Sequence, residues 1–113
     1  MSKFAIVGAG FIGRAWAISF ARAGHAVALW DQDSGAPGKA LAYIDSLLPE
    51  LAKLDLLNGN STAQVRERMR GVASLEEALA DADYVQENTP EQVEVKLAVF
   101  AELDALGEFG FFF

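Results

Sequence analysis

Phe4-Ala5-Ile6-Val7-Gly8-Ala9-Gly10-Phe11-Ile12-Gly13 joins an apolar run to a G-x-G-x-x-G turn, and Asp31 follows eighteen residues after the last glycine. A helical pattern and a second apolar run separate the turn from the aspartate. Ten glycines in a short chain allow chance matches to the motif, so its context matters. A strand, a glycine turn, a helix, a second strand and an acidic residue in this order predict a dinucleotide-binding βαβ unit.

The glycines of this turn have distinct predicted roles. Gly8 permits the tight turn from strand to helix, Gly10 lets the backbone approach a pyrophosphate, and Gly13 lets the helix pack closely on the strand. The amide groups of Phe11 and Ile12 lie at the start of the helix, where the helix dipole favours the negative charge of phosphates. These five residues are the predicted cofactor-binding turn.

Asp31 narrows the choice of dinucleotide. A carboxylate at the end of the second strand accepts hydrogen bonds from the ribose hydroxyls of adenosine and repels a 2′-phosphate. The next residues, 32–34, include no arginine that could neutralise such a phosphate, so NAD is favoured over NADP. The alternative is that Asp31 only forms a turn, because Asp33, Ser34 and Gly35 are turn residues as well.

Length and composition limit the function further. A chain of 113 residues predicts one domain at most and is short for a complete dehydrogenase. The net charge of −7 argues against nucleic acid or an anionic membrane surface as a partner. The lack of cysteine excludes disulfides, thiol nucleophiles and cysteine metal sites. Without a signal-peptide pattern or a membrane-length apolar run, a cytoplasmic protein with no metal is expected.

Periodicity and turn residues predict an α/β fold. Helices are expected over residues 11–23, 75–80 and 91–106, and strands over 3–7, 26–30, 71–73 and 84–87. Ser74 with Glu77 fits a capping box at the start of the second of these helices. The strands should form a Rossmann-type, doubly wound parallel sheet of order 3-2-1-4, with the nucleotide at the carboxyl ends where the order reverses. His25 is interpreted as a solvated turn residue.

Residues 37–70 form a helical insertion between the second and third strands. Apolar residues recur there at helical spacing, and Pro49, which lacks an amide hydrogen, should kink or break the run. Asn58-Gly59-Asn60 marks a turn, and Ser61 with Gln64 fits a capping box for a further helix. The insertion is either a helical decoration of the sheet or a projecting hairpin that touches a large substrate, and the sequence leaves both open.

Several stretches of the chain carry a family resemblance. They are Val7-Gly8-Ala9-Gly10-Phe11-Ile12-Gly13-Arg14, Ala23-Gly24-His25, Leu29-Trp30-Asp31, Ala80-Asp81-Ala82-Asp83-Tyr84-Val85-Gln86-Glu87, Pro90-Glu91, and Lys96 through Phe100-Ala101-Glu102-Leu103-Asp104. Together they resemble the NAD-binding domain of the 3-hydroxyacyl-CoA dehydrogenase family, whose members also carry a long helical pair. Gly13-Arg14-Ala15-Trp16 and Val85-Gln86-Glu87-Asn88-Thr89-Pro90-Glu91 are similar to its narrower branch, the L-gulonate 3-dehydrogenase and lambda-crystallin group.

The resemblance implies a reaction in which NAD accepts hydride from the 3-hydroxyl carbon of an acyl-CoA or a related small hydroxy acid. It also implies that Asp31 binds the adenosine ribose and that Glu91 and Lys96 lie along the cofactor. Glu91 and Lys96 are five residues apart and so are not an i,i+4 ion pair, although two solvated charges at a helix start remain the alternative. The role of Glu87 is left open: its side chain either makes a polar contact near the nicotinamide or forms a structural hydrogen bond.

The chain departs from the family after residue 106. Family members continue into a further strand, a serine- and threonine-rich loop, a histidine–glutamate catalytic pair and an all-helical domain that forms homodimers. Here a divergent aromatic tail occupies residues 107–113. We therefore expect residues 1–106 to be an incomplete NAD-binding Rossmann domain without catalytic residues, from a truncated and by itself inactive oxidoreductase. Its fourth strand should have an unprotected edge. The alternative is a non-enzymatic nucleotide-binding module that associates with a partner through the tail.

Overall fold

The computed structural model describes residues 2–88 and the backbone of residues 110–112. Within these ranges strands and helices alternate along the chain. The strands are β1 (Lys3–Val7), β2 (Ala26–Trp30), β3 (Met69–Gly71), β4 (Tyr84–Glu87) and β5 (Gly110–Phe112). The helices are α1 (Phe11–Arg22), α2 (Ala36–Lys53), α3 (Thr62–Glu67) and α4 (Leu75–Leu79).

The sheet is parallel throughout and has the order β3-β2-β1-β4-β5. Its first four strands confirm the predicted Rossmann-type order of 3-2-1-4. The central strand β1 ends level with both neighbours, since Val7 pairs with Trp30 of β2 and with Glu87 of β4. The carboxyl ends of these three strands therefore meet beside Gly8, where the strand order reverses.

The expectation of an unprotected edge on β4 is wrong. The backbone of Gly110–Phe112 forms β5, which pairs in parallel with β4 from Tyr84 to Gln86. A bare strand edge presents unpaired N–H and C=O groups, and the tail supplies partners for them from within the chain. The predicted helix over 91–106 lies outside the described residues, and the domain limit at residue 106 stays a prediction.

Two apolar layers cover the sheet. The first lies on the face of α1, α2 and α3 and includes the buried side chains of Ile6, Leu29 and Ile44. The second lies on the face of α4 and includes Ala5 and Val85. Because successive side chains of a strand point to opposite faces, burial on both faces explains the continuous apolar runs of β1 and β2.

The helical insertion packs onto the sheet, and its first helix is not broken at Pro49. α2 continues for 18 residues through this proline, whose side chain is exposed. Ala40, Ile44 and Leu48 lie buried on the inner face of α2. Their packing holds the helix together against the loss of one amide donor and the ring clash, which cost about 3 kcal/mol.

The third strand begins earlier in the sequence than predicted. β3 begins at Met69, two residues before the predicted strand, because the Met69 side chain is buried in the first apolar layer. The capping box of α3 is confirmed: Ser61 Oγ accepts from Gln64 N at 3.1 Å, and Gln64 Oε1 accepts from Ser61 N at 2.8 Å. Of the predicted box at α4, Ser74 Oγ accepts from the Glu77 amide.

None of the helices in the described ranges combines the length and the apolar character needed to cross a membrane. The cytoplasmic location stays a prediction.

Candidate functional site

The predicted turn lies at the carboxyl edge of the sheet, between β1 and α1. The amide of Gly8 donates to the carbonyl oxygen of Trp30 at 2.8 Å, and the amide of Asn88 donates to the carbonyl oxygen of Val7 at 2.8 Å. The turn is therefore fastened to the end of β2 on one side, while the end of β1 is fastened to the loop after β4 on the other. Both hydrogen bonds continue the pairing of the parallel sheet beyond the last strand residues.

At two positions of the turn, the backbone conformation or the packing requires glycine, as the sequence predicts. Gly8 has a φ of 102°, a conformation that side chains rarely adopt. A Cβ atom at Gly13 would lie 2.1 Å from the carbonyl oxygen of Gly8, so only glycine allows α1 to pack this closely. At Gly10 the packing of the protein does not require glycine, since a Cβ atom there would meet no atom within 4 Å. The space next to Gly10 is open in this structure, as a pyrophosphate approach requires.

The start of α1 is suited to an anion. Gly10 is the N-cap, and the first intrahelical hydrogen bond runs from the Arg14 amide to the Gly10 carbonyl at 3.0 Å. The amides of Phe11 and Ile12 precede this bond and have no partner within the helix. No acidic side chain lies in the first turn to oppose an incoming phosphate. The two predicted phosphate-binding amides are therefore at an open helix start with the favourable end of the dipole.

Asp31 is held at the same edge by two backbone amides. Its Oδ2 accepts from the Ala9 amide at 2.8 Å, and its Oδ1 accepts from the Asp33 amide at 2.9 Å. The second bond is the turn that the alternative interpretation predicted. The first joins the carboxylate directly to the glycine turn, 22 residues earlier in the chain. Since each carboxylate oxygen has two acceptor positions, each keeps one for a ribose hydroxyl.

The end of β4 adds a polar residue that sequence reasoning missed as a site residue. Gln86 is 1% exposed, and its buried Oε1 has no hydrogen-bond partner among the residues that the structure describes. Its Nε2 donates to Asn88 Oδ1 at 3.2 Å. The available signal was the pair of polar residues, Gln86 and Glu87, at the end of a strand predicted to lie beside the central strand of the sheet. Glu87 is buried as well, at 4% exposure, and its role stays open between the two predicted contacts.

The remaining predicted residues are not part of the described site. Glu91 and Lys96 lie outside the described residues, so their place along the cofactor stays a prediction. His25 lies at the opposite, amino edge of the sheet, where its Nδ1 accepts from the Ser2 amide at 3.1 Å and its ring contacts Phe4. It is half-buried in the short connection between α1 and β2, and its interpretation as a solvated turn residue stays a prediction.

A trough of about 490 Å³ also lies at the amino edge, between the starts of β1, β2 and β3. Its polar lining includes Lys3, Arg68 and Asp81. Arg68 donates to Ala21 and to Asn60, and Lys3 pairs with Asp81 at 3.9 Å. These cations are thus already engaged within the chain, and none of the predicted site residues lines the trough.

Comparison with known proteins agrees with this geometry. The sequence model for "3-hydroxyacyl-CoA dehydrogenase, NAD binding domain" matches residues 3–109. An L-carnitine dehydrogenase of Nocardiopsis dassonvillei is 40% identical over 101 residues, which cover 89% of this chain and 30% of that protein. The lambda-crystallin homolog of Mus musculus is 36% identical over 102 residues, which cover 89% of this chain and 32% of the homolog. The chain thus spans about a third of the curated relatives that it matches.

Solved structures show the same likeness. The crystal structure of 3-hydroxybutyryl-CoA dehydrogenase from Escherichia coli has a TM-score of 0.82 and 31% sequence identity, with 93% of this chain and 22% of that chain covered. The (S)-3-hydroxybutyryl-CoA dehydrogenase of Ralstonia eutropha has a TM-score of 0.84 and 29% identity, with 96% of this chain and 38% of that chain covered.

Proposed function

The chain belongs to the 3-hydroxyacyl-CoA dehydrogenase NAD-binding domain family, and from this premise we propose that it holds NAD for the oxidation of a 3-hydroxyacyl-CoA or a related hydroxy acid. When bound, NAD supplies the hydride acceptor of that reaction. The residues of the chain supply the binding edge: the amides of Phe11 and Ile12, the open position at Gly10, and the carboxylate of Asp31. This donor and acceptor set fits an adenosine ribose linked to a pyrophosphate.

The observation that carries the proposal is the hydrogen bond from Ala9 N to Asp31 Oδ2 at 2.8 Å. It holds the ribose-binding carboxylate beside the phosphate-binding turn, so the two halves of the adenosine diphosphate site have a fixed separation. The same negative charge disfavours a 2′-phosphate, which supports NAD rather than NADP as the cofactor. Because both partners of this bond belong to the chain, the fold itself sets that separation.

We further propose that this chain by itself binds the cofactor without turning over a substrate. Oxidation of a hydroxyl group needs a base that removes the hydroxyl proton, and histidine is the commonest residue in that role. The single histidine of the sequence, His25, lies at the amino edge of the sheet, opposite Gly8 and Asp31. The sequence contains no cysteine either. The alternative, a partner-binding module that acts through the tail, is not favoured by the comparisons. The homodimer of the family stays a prediction for this chain.

The proposal is tested by calorimetric titration of the chain with NAD, alongside Asp31→Asn and Asp33→Asn. Both substitutions remove one negative charge, but the bond that Asp33 Oδ1 accepts comes from the Gly35 amide of its own turn and not from the glycine turn. Loss of a charge-assisted hydrogen bond weakens binding by roughly tenfold or more. We therefore expect Asp31→Asn to lose at least tenfold in affinity and Asp33→Asn to remain within about twofold of the parent chain.

Two results would overturn these proposals separately. No NAD binding to a chain that shows cooperative unfolding would remove the cofactor role. Formation of NADH from NAD and a 3-hydroxyacyl-CoA by the chain alone would leave that role intact and remove the second proposal. The absorbance of NADH at its long-wavelength band reports the latter directly.

A further inference from the structure

Three side chains form a cluster where the glycine turn meets the helical insertion. Arg14 Cζ lies 4.9 Å from the ring centroid of Phe11 and 5.1 Å from that of Tyr43. The two rings meet edge to face, with centroids 5.5 Å apart. Phe11 and Arg14 belong to the first turns of α1, whereas Tyr43 belongs to α2. The guanidinium is thus placed by two rings that come from separate elements.

A hydrogen bond fixes Arg14 to the turn itself. Its Nε donates to the Ala9 carbonyl oxygen at 3.1 Å, and the Ala9 amide is the group that donates to Asp31. One residue of the turn therefore positions both the guanidinium and the ribose-binding carboxylate. Arg14 is half-buried, which reduces the competition of water for its remaining N–H groups.

The charge of Arg14 is not neutralised by a carboxylate in the described part of the chain. The ion pairs there join Lys3 to Asp81, Lys53 to Glu50 and Arg66 to Asp45. Stacking on aromatic faces and donation to a carbonyl oxygen hold a guanidinium in place but leave its full positive charge. With a net charge of −7, the chain has no general positive field to attract a dinucleotide.

We propose that Arg14 binds the pyrophosphate of the dinucleotide, and that Phe11 and Tyr43 are positioning residues for its guanidinium. The inference rests on the proposed function, because it assigns a ligand group within that same site. A guanidinium can donate two parallel N–H bonds to a phosphate and adds a full positive charge, which the neutral amides at the helix start lack. The inserted helix α2 contributes to cofactor binding through Tyr43.

The phosphate in question is that of the pyrophosphate and not a 2′-phosphate on the ribose. Arg14 lies four residues after the N-cap Gly10, on the helix whose first amides face the pyrophosphate. The ribose position is marked by Asp31, whose carboxylate repels a 2′-phosphate. A guanidinium binds the pyrophosphate and a 2′-phosphate by the same chemistry, so the experiment must distinguish the two groups.

The test compares the parent chain with Arg14→Gln and Arg14→Lys. Each is titrated with NAD, NADP, ADP and adenosine, the weak ligands being measured by competition. We expect Arg14→Gln to lose about tenfold in affinity for NAD and ADP, since both carry the pyrophosphate, and less than twofold for adenosine. Arg14→Lys keeps the charge without the planar fork and should recover part of the loss. The salt dependence of NAD binding should become weaker in Arg14→Gln.

A second pair of variants tests the positioning role. Tyr43→Phe keeps the ring and should bind NAD like the parent chain, whereas Tyr43→Leu removes the ring and should lose affinity for ADP but not for adenosine. Urea unfolding of each variant shows whether the fold is intact.

Several outcomes would overturn the inference. If Arg14→Gln loses affinity equally for ADP and adenosine, Arg14 only joins α1 to α2. If it loses affinity for NADP but not for ADP, the residue faces the ribose. Unchanged NAD affinity in Arg14→Gln would remove the inference and leave the proposed function standing, because the parent chain would still bind. A parent chain that does not bind NAD would remove both.

Discussion

Gly10→Ala and Gly13→Ala add the same methyl group three residues apart, and the structure predicts opposite consequences. At Gly13 the new Cβ atom would lie 2.1 Å from the Gly8 carbonyl oxygen and 3.2 Å from Ile6 Cγ2. Contacts under 3.0 Å essentially never occur for real Cβ atoms. α1 must therefore move away from β1, by about 0.9 Å if the movement is along the contact.

The magnitude for Gly13→Ala follows from two opposing effects. Alanine is better than glycine within a helix by about 1 kcal/mol. Overpacking costs about 1–3 kcal/mol, and the upper end applies because the obstacle is backbone that cannot rotate away. We expect the free energy of unfolding to fall by about 2 kcal/mol. At about 4–8 °C per kcal/mol for a domain near this size, Tm should fall by roughly 8–16 °C.

Gly10→Ala should leave stability nearly unchanged and abolish most of the NAD affinity. Gly10 has a φ of −74° and a ψ of −168°, which any residue adopts, and its Cβ position is open. The free energy of unfolding should change by no more than about 1 kcal/mol, because the reduced freedom of the unfolded chain offsets the poorer fit of alanine at the N-cap. The methyl group would occupy the approach of the pyrophosphate, so we expect NAD to bind at least tenfold more weakly.

The assay is urea unfolding followed by calorimetric titration with NAD, on the two variants and on Gly38→Ala. Gly38 also has an open Cβ position, but it lies in α2. This control should keep NAD affinity and gain up to about 1 kcal/mol of stability, because alanine is preferred to glycine within a helix. A Gly13→Ala variant as stable as the parent chain would show that the close packing of α1 on β1 is not required. A Gly10→Ala variant with unchanged affinity would show that no phosphate approaches this position.

Two further predictions concern β4. Gln86→Met replaces a buried side chain whose Oε1 has no hydrogen-bond partner within the described part of the chain. Since an unsatisfied buried acceptor costs about 1–3 kcal/mol, Tm should stay equal or rise. A fall of several degrees in a thermal melt would show that the oxygen has a partner after all. Deletion of residues 109–113 removes β5 and uncovers the edge of β4. Light scattering should therefore show more aggregation than in the parent chain. A chain that aggregates less than the parent would contradict the pairing of β4 with β5.

The parts of the fold that sequence predicts are those in which neighbouring residues set the geometry. The turn from Gly8 to Gly13 needs glycines at fixed positions. β1, β2 and β4 have the predicted limits because turn-forming residue types follow each of them in the sequence. The helix does not break at Pro49, because the local cost of the proline is outweighed by the buried face of α2. β3 was placed too late because burial of Met69, not the following glycine, sets its start.

The site likewise contains residues that the sequence places correctly and residues whose contacts only the structure shows. Asp31 and the glycine turn are one βαβ unit with a known spacing, so the sequence was sufficient to place them together. The contact between Arg14 and Tyr43 joins residues 29 positions apart, on helices whose relative placement depends on the whole apolar layer. The buried oxygen of Gln86 depends on what surrounds a strand end. Neither has a sequence pattern of its own.

The hydrogen bond between Ala9 and Asp31 also affects the association rate of the dinucleotide. The turn is held by hydrogen bonds within the chain, from Ala9 to Asp31 and from Gly8 to Trp30, so the conformational entropy of ordering it is lost on folding and not when the dinucleotide arrives. Binding to such a preorganised turn requires no loop movement, and association is limited by encounter and orientation. The amide proton of Ala9 is therefore protected from exchange with solvent even in the ligand-free chain, and cofactor binding leaves that protection in place.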